Sequence, residues 1–431
     1  MTSKIKTICI LLLVSFVLGT GPSAAKEIVV LSQFPLSGPL GSLNELGWGY
    51  IDAMNWFNKE AGGLNGKPIK WFMEDMRYEP EVEVANFIRF ATKYGKDEFV
   101  MASGYITGGI IALAEKVNKE EKIPWVDGSY STEMFSVKNG KASHPYYYSM
   151  GATYEPQMKV LVKWILDNHK GTEKARVGFV NSPTAFGRDG LPQAVGYAKQ
   201  KGLQVVAEIE YPYTATAATN ECMALRKAKA QYVIYHGFTG TQGCTAIFFK
   251  TARKVLPDVQ ILGTAYMGSR IPILLMGEAY DGFIGAYCAP ATDSVPRKVT
   301  PMDNAWVKMV HDFAKKYRAE DYKKGIKEGG FKDMSLYEQG MRTAFIIQQA
   351  LMGADKAGGI SRENVKKALD TMTWDFNGMF GGKSFTFKSH TIPMVRLHQA
   401  KVKIVDMGGK KVPTGMQVPI SDWINTEAVT W

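Results

Sequence analysis

The sequence predicts an α/β protein of two Rossmann-like lobes joined by three hinge strands. Three observations carry that reading. Short apolar runs alternate with amphipathic stretches from residue 27 onward, the pattern of βα units and a parallel sheet. Near Pro145 the alternation stops and begins afresh, which marks a second sheet. After Ala289 helical spacing takes over, so the chain returns to the first lobe, and a last crossing lets the terminal strands complete the second. At 431 residues the chain is also too long for one ordinary core.

The first 25 residues have a separate role. Lys4 and Lys6 precede an apolar run at 8–18, and Ser23 and Ala25 supply the small residues of a cleavage site. This is a secretory signal peptide, too short for a stable membrane span. Cleavage is expected near Ala25, and no later segment offers an apolar run long enough to cross a membrane. An exported, periplasmic, soluble product is expected. The net charge is +11, and loss of Lys4 and Lys6, with no acid among those residues, leaves +9. Export argues against nucleic acid as a partner, and the lysines are spread as on a solvated face.

The elements follow in order. Residues 27–33 form the first strand, and 34–44 form a loop with Gly and Pro. A helix at 45–59 places Tyr50, Ile51, Met54 and Phe57 on one face and ends at Gly62-Gly63. Apolar and polar residues alternate at 69–74 as in a strand, and 80–94 is helical. The stretch 99–135 then reads as strand, glycine-rich turn, helix, strand and hydroxyl-rich turn. In the second lobe, helices are expected at 154–168, up to 201, at 220–229 and at 242–255, with strands at 176–180, 203–209, 232–235 and 259–262. Residues 289–300 read as a linker, 303–317, 336–352 and 363–372 as helices, 319–333 as a loop, and 384–387 and 395–405 as strands. The lobes are then 26–148 with 288–387, and 149–287 with 388–431. The hinge strands lie near Tyr148, Ala286 and Lys388.

The stretch 99–135 holds the candidate site. A strand–helix–strand unit of this length makes a right-handed crossover, so both its turns emerge at the carboxyl edge of one sheet. Ligands of open α/β sheets sit there, and helix-opening N–H groups favour an anion. Thr107, Ser129 and Ser131 add hydroxyls. The alternative is two ordinary βα turns in which Gly and Ser only form the turn.

Taken together, the chain resembles the leucine/isoleucine/valine-binding family of periplasmic receptors, the type I solute-binding proteins of ABC transporters. The resemblance spans the mature chain. It rests on Pro35-Leu36-Ser37-Gly38-Pro39, Ala61-Gly62-Gly63-Leu64-Asn65-Gly66, the run 104–112, Ile123-Pro124 and Ala185-Phe186-Gly187. It implies two lobes closing on a small-molecule ligand, which is then handed to the permease subunits. It implies no cofactor, no metal and no catalysis. By spacing, it places the ligand carboxylate at Thr107, Gly108, Ser129 and Ser131. It places aromatic lining at Tyr105, Tyr130, Tyr154, Phe186, Phe238 and Tyr266. Where amino-acid-binding members carry an acid for the ammonium, this chain has Tyr154, and the loop 263–268 has no acid. Either Asp127 or Glu155 does that work, or the ligand has no ammonium. A branched-chain or other hydrophobic amino acid and an amine-free carboxylate both stay open.

Three cysteines remain after export. Cys222 and Cys244 sit near the starts of helices that follow neighbouring strands, so a disulfide between them is expected, the alternative being three free buried thiols. Two other functions compete with transport. One is a soluble sensor of the same fold acting on a membrane receptor. The other is a secreted α/β enzyme, against which stands the lack of a G-x-S-x-G elbow, an H-E-x-x-H pair or a true dinucleotide loop.

Overall fold

The computed structural model describes residues 27–38, 43–238, 243–268, 270–292, 304–324, 331, 333–406 and 408–431. The signal-peptide reading, and most of the linker expected at 289–300, fall outside these residues.

The first lobe opens with β1 (Val29–Phe34), α1 (Asn44–Lys59), β2 (Lys70–Asp75), α2 (Pro80–Lys93), β3 (Phe99–Gly104), α3 (Thr107–Glu115) and β4 (Trp125–Asp127). A two-residue hairpin, β5 (Val137–Lys138) and β6 (Lys141–Ala142), precedes β7 (Tyr147–Ser149). Every residue of β1 and β3 is buried, as a parallel strand covered on both faces requires. The sheet order is β2-β1-β3-β4-β7, all parallel. Pro80 in the first turn of α2, with Glu81 and Glu83 beside it, suits a helix start.

The second lobe runs through α4 (Tyr154–Asn168), β8 (Arg176–Asn181), α5 (Ala185–Arg188), α6 (Leu191–Gln200), β9 (Gln204–Glu210), α7 (Thr219–Lys227) and β10 (Tyr232–His236). It continues with α8 (Cys244–Val255), β11 (Gln260–Gly263), α9 (Arg270–Met276) and β12 (Ile284–Tyr287). The chain then supplies α10 (Ala305–Tyr317), α11 (Ala319–Lys323), α12 (Met334–Lys356), α13 (Arg362–Thr371) and a short pair, β13 (Thr373–Trp374) and β14 (Phe385–Thr386). It ends with β15 (Met394–Asp406), β16 (Lys411–Pro419) and β17 (Ile424–Asn425). The second sheet is ordered β16-β15-β12-β11-β10-β8-β9, with β17 on β15.

The chain passes between the sheets after β7, after β12 and before β15. The first and third passages touch, where Ser149 bridges Thr391 and its N–H donates to the His390 carbonyl at 2.8 Å. α12 lies against α1 with the two backbones in contact. A Cβ added to Gly49 would run into the Tyr337 carbonyl oxygen, and one on Gly340 into that of Leu46.

Three expectations need correction. Cys222 and Cys244 are buried free thiols, not a disulfide. Cys222 Sγ lies 3.9 Å from the Phe248 carbonyl oxygen, one helical turn further along α8 than Cys244, so the sulfurs are out of register. Residues 319–323 form α11 where a loop was expected, because Tyr322 is anchored by its hydroxyl to His311 (2.9 Å) and by its ring to Phe331. β16 was not foreseen at all. It is an edge strand that accommodates Pro413, since a missing N–H is tolerated there.

Candidate functional site

The two turns at the carboxyl edge of the first sheet meet. α3 begins at Thr107, three residues earlier than its apolar face suggests, so Thr107 sits in the first turn. Its Oγ1 is 2.7 Å from Ser129 Oγ, which follows β4. Both side chains are almost fully buried. Tyr154, the first residue of α4, crosses from the second lobe. Its N–H donates to the Tyr130 carbonyl at 2.8 Å, and its hydroxyl lies beside the Thr107 and Ser129 hydroxyls. Three hydroxyls therefore converge on one point from both lobes.

Aromatic rings surround that point. Tyr266, from the loop after β11, is the hub. It stacks on Tyr130 with centroids 5.3 Å apart and meets Phe186, Phe238 and Tyr105 at 5.7, 5.6 and 6.2 Å. Its hydroxyl donates to the Gly128 carbonyl oxygen in the opposite lobe. Tyr78, Tyr105, Thr107, Tyr154, Phe186, Phe238 and Tyr266 line one narrow cavity. Burial raises the phenol pKa of Tyr78, Tyr105, Tyr154 and Tyr266, so these hydroxyls remain protonated donors.

Six residues singled out in the sequence thus share one cavity, with Ser129 bonded at its edge. Three stand elsewhere. Tyr130 forms the far side of the wall by stacking on Tyr266. A Cβ on Gly108 would meet the Pro80 ring, so this glycine lets α2 pack close. Ser131 donates to Asp189 Oδ2, and Asp189 Oδ1 accepts from the Thr132 N–H at 2.7 Å. Asp189 follows α5, so this contact ties the second lobe to the β4 turn. Burial lifts its pKa to about 6.

Neither candidate ammonium partner reaches the cavity. Asp127 lies fully buried under the turn and accepts from Trp125 Nε1 at 2.7 Å and the Ser129 N–H at 2.6 Å. Glu155 is ion-paired with Lys159 at 2.6 Å. Among the described residues, no charged side chain lines the cavity.

Glu83, which no motif singles out, stands behind the same turns. It is fully buried, and neither carboxyl oxygen has a hydrogen-bond partner among the described residues. Glu83 and Asp127 both press against the place where a Cβ of Gly104 would stand. Burial, then the Asp127 charge, holds Glu83 well above the usual carboxylate range, and burial lifts Asp127 to about 7. Tyr78 was missed too, although its place just past β2 puts it at the carboxyl edge. Among the described residues, no group of three His, Cys, Asp or Glu is placed to hold a metal.

Two α/β lobes linked by three passages, with a hydroxyl and aromatic cavity between them, define a two-lobed binding protein. The family model described as Periplasmic binding protein matches residues 28–409. The chain belongs to that family, in its type I, leucine/isoleucine/valine-binding-like form. No curated protein sequence matches it. Three similar solved structures illustrate the range. A branched-chain amino acid ABC transporter protein from Thermus thermophilus with bound valine is 22% identical, with TM-score 0.74 over 93% of this chain and 97% of that one. A fatty acid ABC transporter substrate-binding protein from Thermomonospora curvata is 18% identical, with TM-score 0.73 over 94% of each chain. A solute-binding protein from Rhodopseudomonas palustris in complex with 3,4-dihydroxybenzoic acid is 16% identical, with TM-score 0.67 over 93% of this chain and 98% of that one. No helix among the described residues is long and apolar enough to cross a membrane.

Proposed function

We propose that this chain is an exported periplasmic receptor that delivers an amine-free hydrophobic carboxylate, aromatic or aliphatic, to the permease of an ABC importer. The observation that carries the reading is the cavity lining: hydroxyls at one point, rings around it, and no charged side chain. The hydroxyls of Thr107, Ser129 and Tyr154 are donors for a carboxylate, and the first turn of α3 adds its unpaired N–H groups and dipole. The rings cover an apolar body. An ammonium buried here would lack a carboxylate, which costs several kcal/mol.

A thermal-shift screen tests this. A ligand at 100 times its dissociation constant adds about 2.7 kcal/mol to the folded state. Aromatic and aliphatic acids without an amine are expected to raise the melting temperature more than leucine, isoleucine or valine. Stabilisation by the amino acids alone overturns the reading.

A further inference from the structure

The cleft continues past the aromatic wall. Tyr266 and Phe238 also line a second cavity, together with Tyr130, Tyr287 and the start of α12. α12 brings Asp333, Glu338, Gln339 and Arg342 to it. Most of these groups are already engaged within the protein. Arg342 and Glu338 are both buried, with Arg342 Nε 3.2 Å from Glu338 Oε1. Arg342 Nη1 donates to the carbonyls of Met150 and Cys288 at 2.9 and 3.3 Å, and Glu338 accepts from Trp306 Nε1 at 2.9 Å. Asp333 caps α12, accepting from the Ser335 N–H at 2.9 Å.

Gln339 differs. Its Oε1 accepts from the Tyr105 hydroxyl, which leaves the amide Nε2 with no partner among the described residues. Tyr105 and Thr107 belong to the same turn. The free donor therefore stands one tyrosine side chain away from the hydroxyls that meet at Thr107.

We propose that Gln339 is a specificity-determining residue that reads the far end of the ligand, donating to a neutral acceptor such as a ring hydroxyl placed opposite the carboxylate. This rests on the reading that Thr107 and Ser129 hold the carboxylate. The Tyr105 side chain runs from the Thr107 turn to Gln339, so a ligand that follows that ring passes from the first cavity toward the second. The acceptor is neutral because the cavity already sets Asp333 and Glu338 against Arg342 alone, so a second carboxylate meets repulsion.

Calorimetry on the mature chain tests it with benzoate, 4-hydroxybenzoate and benzene-1,4-dicarboxylate, and with cinnamate and 4-hydroxycinnamate. The hydroxylated member of at least one pair is expected to bind about tenfold tighter than its parent, the worth of one hydrogen bond. The dicarboxylate is expected to bind more weakly than benzoate. Gln339→Leu should bring the hydroxyl preference below about threefold and leave the parent acid within about twofold. Should that variant not fold, Gln339→Met, of similar length and without an N–H donor, should bring the hydroxyl preference below about threefold in the same way. A ratio near one in the wild type, or a preference that survives substitution, overturns the proposal while binding of the parent acids leaves the carboxylate site standing. Binding of leucine or valine with none of the acids ends both.

Discussion

Thr107 and Ser129 come from turns 22 residues apart in sequence, yet their hydroxyls touch. A hydrogen bond to a charged group contributes about 1.5–3 kcal/mol. Thr107→Val or Ser129→Ala should therefore weaken carboxylate binding about 10- to 100-fold, read by calorimetry, with the variant still folded by circular dichroism. Unchanged affinity in both removes them from the site. The acids behind the turn make a different prediction. A carboxyl held above its ordinary pKa stabilises the fold fully below that ordinary value, and the contribution is lost as pH rises through the raised one. Asp127 is raised from 3.8 to about 7 and Glu83 is raised as well. The melting temperature should fall between about pH 5 and 8, and Glu83→Gln should shrink that fall. A slope that Glu83→Gln leaves untouched contradicts the coupling.

At the scale of elements, the close crossing of α1 and α12 is the most demanding contact. Gly340→Ala forces a methyl group against the Leu46 carbonyl, an overpacking that costs about 1–3 kcal/mol and should lower the denaturant midpoint. A midpoint equal to wild type would show that the helices can part freely. The β4 turn makes a second such contact. Ser131 hydrogen-bonds Asp189 across the lobes, so Ser131→Ala should speed ligand release in stopped-flow while association changes little. Equal release rates would assign the hydroxyl a structural role only. The periodic elements were legible in the sequence because apolar spacing and caps are local: Tyr154–Asn168 stands where the spacing puts it. The cysteines were not, since whether two thiols meet depends on helix offset. Glu83, Asp189 and Gln339 were not legible either. Each lies on a helix or at a helix end with no local signal, and gains its place from a turn far away in the chain.

The whole molecule has its lobes in contact across the cleft. Tyr266 reaches Gly128, Tyr154 reaches Tyr130, and Asp189 reaches Thr132. A ligand between the lobes adds its own contacts to both, so binding and closure are one equilibrium. The cleft's position was readable from the order of strands and turns, but its charge was not, because that depends on where Asp127 and Glu155 point. The most direct measurement is calorimetric affinity for matched pairs that differ only by the amine: 3-phenylpropanoate against phenylalanine, and 4-methylpentanoate against leucine. The amine-free acid should bind at least about tenfold tighter in one pair or both, as an unpaired buried ammonium requires. Tighter binding of the amino acid in both pairs would contradict the account.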